Sequence, residues 1–181
     1  MRRRFSVLIA GALILAAACG RHRAPTPTPA ATPATPMPPP APMYADNGGG
    51  IRDSVRVILR STEELADYWS RATSTQSSPP AVPDDVDFRR EMVIVVAAGR
   101  MTPEDQIHVD SLLVRRELVP SGKREETLTI VVRTVEGCRR FRTDAFPLQI
   151  VRARKFDGNI KWEERTVRST CLDQTAGSSR P

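Results

Sequence analysis

The sequence predicts an α+β domain, a mostly antiparallel sheet of five or six strands with one main helix packed on a face. Three observations lead there: several short segments in which apolar residues recur with a period of two, one segment with helical spacing, and short polar connections between them.

The first strand is read at Asp53 to Ser61, where Val55, Val57 and Leu59 alternate with Arg56 and Arg60. Ser61 and Glu64 then form a capping box, in which each side chain meets a free backbone N–H at the start of a helix. That helix, Thr62 to Ala72, places Leu65, Tyr68, Trp69 and Ala72 on one face. Thr73 to Asp85 is a loop by composition. The uninterrupted run Met92 to Ala98 reads as a central strand buried on both faces. Pro103 to Asp105 make a turn, Gln106 to Val119 a strand bulged at Leu112-Leu113, Pro120 to Glu126 a polar turn, and Thr127 to Val135 the strand that pairs back. Phe146 to Phe156 and Asn159 to Val167 are expected to pair as a hairpin through Asp157-Gly158, a dipeptide suited to a tight turn.

Upstream of this domain the organisation changes. Arg2, Arg3 and Arg4 precede an apolar run from Phe5 to Ala18, about 14 residues long against the roughly 20 that span a bilayer. The run ends in Ala16-Ala17-Ala18-Cys19. Residues 1–18 are therefore expected to be a lipoprotein signal peptide and Cys19 the lipidated first residue of the mature chain; an ordinary secretory signal and an uncleaved anchor are the alternatives. Residues 19–43 read as a tether, since Ala24 to Met43 contain nine prolines in twenty residues and favour polyproline II. The folded domain is placed at residues 44–173 and a disordered tail at 174–181. The formal charge of +6 comes largely from Arg2, Arg3, Arg4, Arg21 and Arg23; from Tyr44 onward 22 cations face 21 anions. A near-neutral domain gives no reason to propose nucleic acid as a partner.

The blocks VDFRREMVIVVAAGR (Val86 to Arg100), EGC (Glu136 to Cys138) and FPLQIVRARKFDGNIKWEER (Phe146 to Arg165) resemble the C-terminal domain family of protease complex subunit PrcB. The resemblance spans Val55 to Thr166. It implies an exported, often lipid-anchored protein that assists a surface protease complex without being its catalytic subunit. Where that family commonly has a Gly-Gly-Tyr-like motif, this chain has Met101-Thr102-Pro103-Glu104-Asp105-Gln106.

Catalytic chemistry finds little material. His108 is the one imidazole of the domain, and no Gly-x-Ser-x-Gly elbow accompanies it. His108 and Asp110 share a strand face but are two ligands without a third, and Asp84, Asp85 and Asp87 lack calcium-loop spacing, so all are expected to face solvent. No metal and no cofactor are expected. Arg139, Arg140, Arg142, Arg152 and Arg154 form a possible surface for an anion or a partner, which Glu163 and Glu164 could neutralise from the adjoining strand. In an oxidising envelope Cys138 and Cys171 are the thiols left once Cys19 carries lipid, and they are expected to pair.

The expectation is thus a protein of the bacterial cell envelope, held to the membrane through lipid on Cys19. Gly20 after Cys19, where an Asp would retain a lipoprotein at the inner membrane, favours the outer one. Its domain is expected to bind another envelope or secreted protein. The rival expectations are an envelope hydrolase and a module that binds anions or lipid headgroups.

Overall fold

The computed structural model describes residues 32–119, 121–139 and 141–170. The signal segment with Cys19, Arg140, Cys171 and the tail at 174–181 lie outside the described residues. The strands are β1 (Thr35–Pro36), β2 (Ala41–Asp46), β3 (Ser54–Leu59), β4 (Glu91–Ala98), β5 (Gln106–Leu118), β6 (Arg124–Glu136), β7 (Leu148–Arg154) and β8 (Asn159–Arg168), with one helix, α1 (Thr62–Thr73), between β3 and β4. The class is α+β with a helix on a sheet face. The strands divide into two open sheets of four, ordered β2-β7-β4-β3 and β1-β5-β6-β8, instead of one sheet of five or six.

The division follows from what β4 must bury. Met92, Ile94 and Val96 join Ile107, Leu112, Leu128, Ile130 and Val132 in a core between the sheets, while Val93, Val95 and Ala97 join Leu65, Trp69 and Ala72 in a second core under α1. The layers are therefore helix, sheet, sheet. A strand in the middle layer has no solvent face, so its apolar run is continuous although both its pairings are antiparallel. The outer sheet has one face away from the core, where Thr129 and Arg133 of β6 are half-buried, although Val131 between them is fully buried.

Helix α1 begins as its sequence requires. The Ser61 side chain accepts the Glu64 N–H at 3.2 Å, and the Glu64 carboxylate accepts the backbone N–H of Arg60 at 2.6 Å, one residue before the expected return bond. The bulge in β5 falls at Asp110, between Val109 and Ser111, not at Leu112-Leu113. This keeps Leu112 and Val114 on the core side beyond the extra residue.

Two expectations are corrected. The proline-rich segment does not stop short of the fold at Met43, because Thr35–Pro36 pairs with β5 and Ala41–Asp46 pairs with β7. Both are edge strands, where a proline's missing N–H leaves no ladder bond broken, and Pro42 sits at a register shift. Between them Met37 packs on the inter-sheet core and donates its N–H to Leu112 at 2.8 Å, so the segment closes one side of the sandwich.

The second correction concerns β7 and β8, which are not a hairpin. β7 lies between β2 and β4, and β8 runs parallel to β6 in the other sheet. The connection crosses between sheets because Phe156 is buried in the core they share. Its carbonyl also accepts a hydrogen bond from Arg60 at 2.9 Å, and Lys155 N–H is bound by Arg90. Gly158 does not have positive φ. Its glycine is required by proximity: a Cβ there would lie 2.6 Å from the Glu126 carbonyl oxygen and 2.8 Å from the Phe156 ring. Gly158→Ala is therefore expected to lower unfolding free energy by about 1–3 kcal/mol, read from urea denaturation, by pushing the start of β8 off β6.

Candidate functional site

His108 stands on the outer face of the β5–β6–β8 sheet, one residue from the core-facing Ile107 and Val109. Its Nε2 lies 3.1 Å from Gln106 Oε1, and its register partner on β6 is Arg133. Arg133 in turn holds Asp110 at 2.9 Å, and Arg165, its partner on β8, holds Glu163 at 2.7 Å. The row is thus a set of ion pairs laid across three strands on an open face. Partial burial, then the Arg133 charge, push the His108 pKa below its usual value, while Asp110 opposes them. The imidazole is therefore neutral at pH 7, and its partner there is a side-chain amide, not a nucleophile.

Of the five arginines read as one surface, the four described ones are not brought together. Arg139 and Arg142 belong to the connection after β6, and Arg152 and Arg154 lie along β7. From Leu148 to Arg154 the strand rises roughly 20 Å, which separates the two groups. Arg152 is also engaged, with Asp85 at 2.9 Å and Glu91 at 3.6 Å. Glu163 and Glu164 are engaged elsewhere: Glu163 pairs with Arg165 on its own strand and Glu164 with Arg56 across the sandwich. Asp85 is spent on Arg152, and Asp87 accepts the Arg89 N–H at 3.0 Å. Among the described residues no three metal-ligating side chains converge.

The end of the sandwich carrying the connection after β6 holds a feature the sequence did not single out. Asp105 is 3 % exposed, and its carboxylate accepts the N–H groups of Thr102 and Gly137 at 2.8 Å each. Glu104 accepts the Arg139 N–H at 3.0 Å, and Met101 pairs with Ala145. Two connections are thereby locked together around a cleft of about 300 Å³ lined by Arg100, Thr102, Asp105, Glu136 and Asp144. On the same connection as Asp144, Phe141 is 43 % exposed, between Arg139 and Arg142 in sequence. The turn at Pro103-Glu104-Asp105 was legible, and the Thr102 N–H bond belongs to it; that Asp105 would be buried was not, because its second partner, Gly137, is 32 residues away.

At the same end Glu136 and Arg168 are register partners, and Ser169 donates its N–H to the Glu136 carbonyl at 2.9 Å. Cys138 Sγ consequently lies 3.6 Å from the Ser169 carbonyl oxygen, two residues before Cys171 in sequence. Parallel pairing of β6 and β8 thus delivers the chain toward the reach of a Cys138–Cys171 bridge, with Cys171 itself outside the described residues. Compared with protein-family models, curated proteins and solved structures, the chain matches none.

Two outcomes follow from this geometry. A Cys138–Cys171 bond makes the intact mass rise by two hydrogens on reduction, with stability falling by about 3–4 kcal/mol; equal masses count against the bond. For His108, the folded pKa lies below an unfolded value of about 6.5, so unfolding takes up a proton between the two values. Its contribution is complete above the unfolded pKa and declines as pH falls through that window. Urea midpoints measured from about pH 5 to 7.5 should rise with pH in the wild type, and less steeply in His108→Ala.

Proposed function

We propose that this is a lipid-anchored protein of the bacterial cell envelope whose domain works by binding another envelope protein, in the manner of an accessory subunit of a protease complex. The anchor rests on the sequence at Cys19 and the accessory role on the resemblance to the PrcB family. The observation that carries the binding reading is the Phe141 end of the sandwich. There an exposed aromatic residue, between Arg139 and Arg142 in sequence, sits on connections fastened by the buried Asp105. Exposed aromatic and arginine side chains on a rigid base are the side chains that dominate protein interfaces, because they bury large area at low conformational cost. A non-catalytic reading is supported by the surroundings of His108, whose Nε2 lies 3.1 Å from Gln106 Oε1.

A photo-crosslinking residue at Phe141 is expected to capture one discrete envelope protein in cells, and one at Val82, 40 % exposed on a different loop, is not. Arg142→Glu should weaken that capture roughly tenfold. Equal capture from both positions would remove this surface from consideration. Independently, Cys19→Ala should abolish labelling by a fatty-acid analogue and release the protein from the membrane fraction; persistence of the label sinks the anchor.

A further inference from the structure

We propose that the tip of the β5–β6 hairpin is a second membrane contact, with Leu118 and Val119 entering the headgroup layer of an anionic lipid surface beside Lys123 and Arg124. This rests on the reading that Cys19 carries lipid, but it is carried by different observations.

The first is projection. β5 and β6 are thirteen residues each, whereas β4 and β7, which cover their inner face, have eight and seven. The last residues of the hairpin to pack on the core are Val114 and Leu128, so Arg115–Leu118 and Arg124–Thr127 extend roughly 13 Å past it. At the far end Leu118 is 72 % exposed, the most exposed of the large apolar side chains described. Turn geometry keeps it there: Val119 and Lys123 are joined by a hydrogen bond of 2.9 Å, and Gly122 adopts φ +77°.

The second is direction. β1 pairs antiparallel with β5, Thr35 opposite Val114 and Pro36 opposite Leu113. Residues 32–34 therefore lie on the side of rising β5 numbers, toward Leu118, so the first described residue, Thr32, is on the side of the hairpin tip. Sixteen residue steps lead from Cys19 to Thr35, which bounds their reach at roughly 55 Å. An anchored domain is thus confined to the neighbourhood of its membrane, and tethering raises the effective concentration of a contact too weak to act alone.

The third is charge. Lys123 and Arg124 are exposed at the tip, with Glu125 next in sequence. Lower on the hairpin Arg115 and Arg116 are paired with Glu117 and Glu126, and at its base Arg154 and Lys155 line a cleft of about 200 Å³ with Arg116 and Glu126. Apolar residues beside cations suit the boundary between acyl chains and anionic headgroups.

The experiment places an indole at the tip, as Leu118→Trp, in the full lipidated protein reconstituted into phosphatidylglycerol–phosphatidylethanolamine vesicles with brominated acyl chains. Its added emission is expected to be quenched relative to unbrominated vesicles, and that of Val82→Trp is not. Equal quenching at the two positions overturns the proposal, as does a Leu118 contact that forms between copies of the chain without vesicles. The second arm uses the unlipidated Cys19→Ala chain with the same vesicles in excess, where Leu118→Asp should lower partitioning roughly tenfold. No change there also overturns it. Lipid on Cys19, read by mass in the same preparation, tests the anchor separately, so either reading can fail alone.

Discussion

Burial of β4 on both faces is the constraint from which the remaining architecture follows. Every residue from Met92 to Ala97 is fully buried, alternately toward α1 and toward the outer sheet. Removing that apolar surface from water favours folding by roughly 10 kcal/mol before the entropy of ordering is counted. It is available only if both covers are present. The helix supplies one through Leu65, Trp69 and Ala72, and the β5–β6 hairpin supplies the other. β7 and β3 then have to flank β4, since the middle sheet must be as wide as what covers it.

A sandwich of open sheets has two exposed sides, and this one treats them differently. On one side the proline-bearing segment from β1 to β2 runs from sheet to sheet, and Tyr44, Asp46 and Gln76 fasten it under the end of α1. Burial alone would raise the Asp46 pKa, yet hydrogen bonds from Gly48 N–H, Tyr44 and Gln76 outweigh it and hold the carboxylate ionised. On the other side the edges are β3 and β8. Arg56 points inward from β3, meets Glu164 of β8 through both carboxylate oxygens at 2.7 and 3.0 Å, and donates to the Ala97 carbonyl. An inward charge satisfied in this way closes the gap between the sheets and would be stranded if either edge added a foreign strand.

Local rules explain which parts were legible in the sequence. The alternation of β3, the capped helix and the continuous run of β4 are each decided by neighbours within a few residues, and the structure keeps all three. Asp157-Gly158 carried the same kind of signal and misled, because Phe156 beside it is worth more in the inter-sheet core than a tight turn is worth locally. Prolines excluded strands at residues 35–43 only under the assumption of a sheet interior. The arginines failed for a related reason: closeness in sequence between Arg142 and Arg152 spans the whole of a strand, and a strand carries its ends far apart. Asp105 had a local signature for its turn with Thr102 but none for its burial, which depends on Gly137 arriving from the far end of β6.

The two proposed contacts lie at opposite ends of one element. β6 runs from the tip beside Lys123 to Glu136, next to the connection that bears Phe141, and thirteen residues of strand span about 40 Å. With Leu118 against the headgroups, the Phe141 end points away from the bilayer at roughly that height. Distance from the membrane would then be set by a paired strand and not by a polyproline arm, whose last part is already spent on the edges of the two sheets. A rigid spacer holds a partner at one height and in one orientation, whereas a free tether of equal length averages over both. Under the two proposals the long hairpin would couple where the chain is held to where it binds.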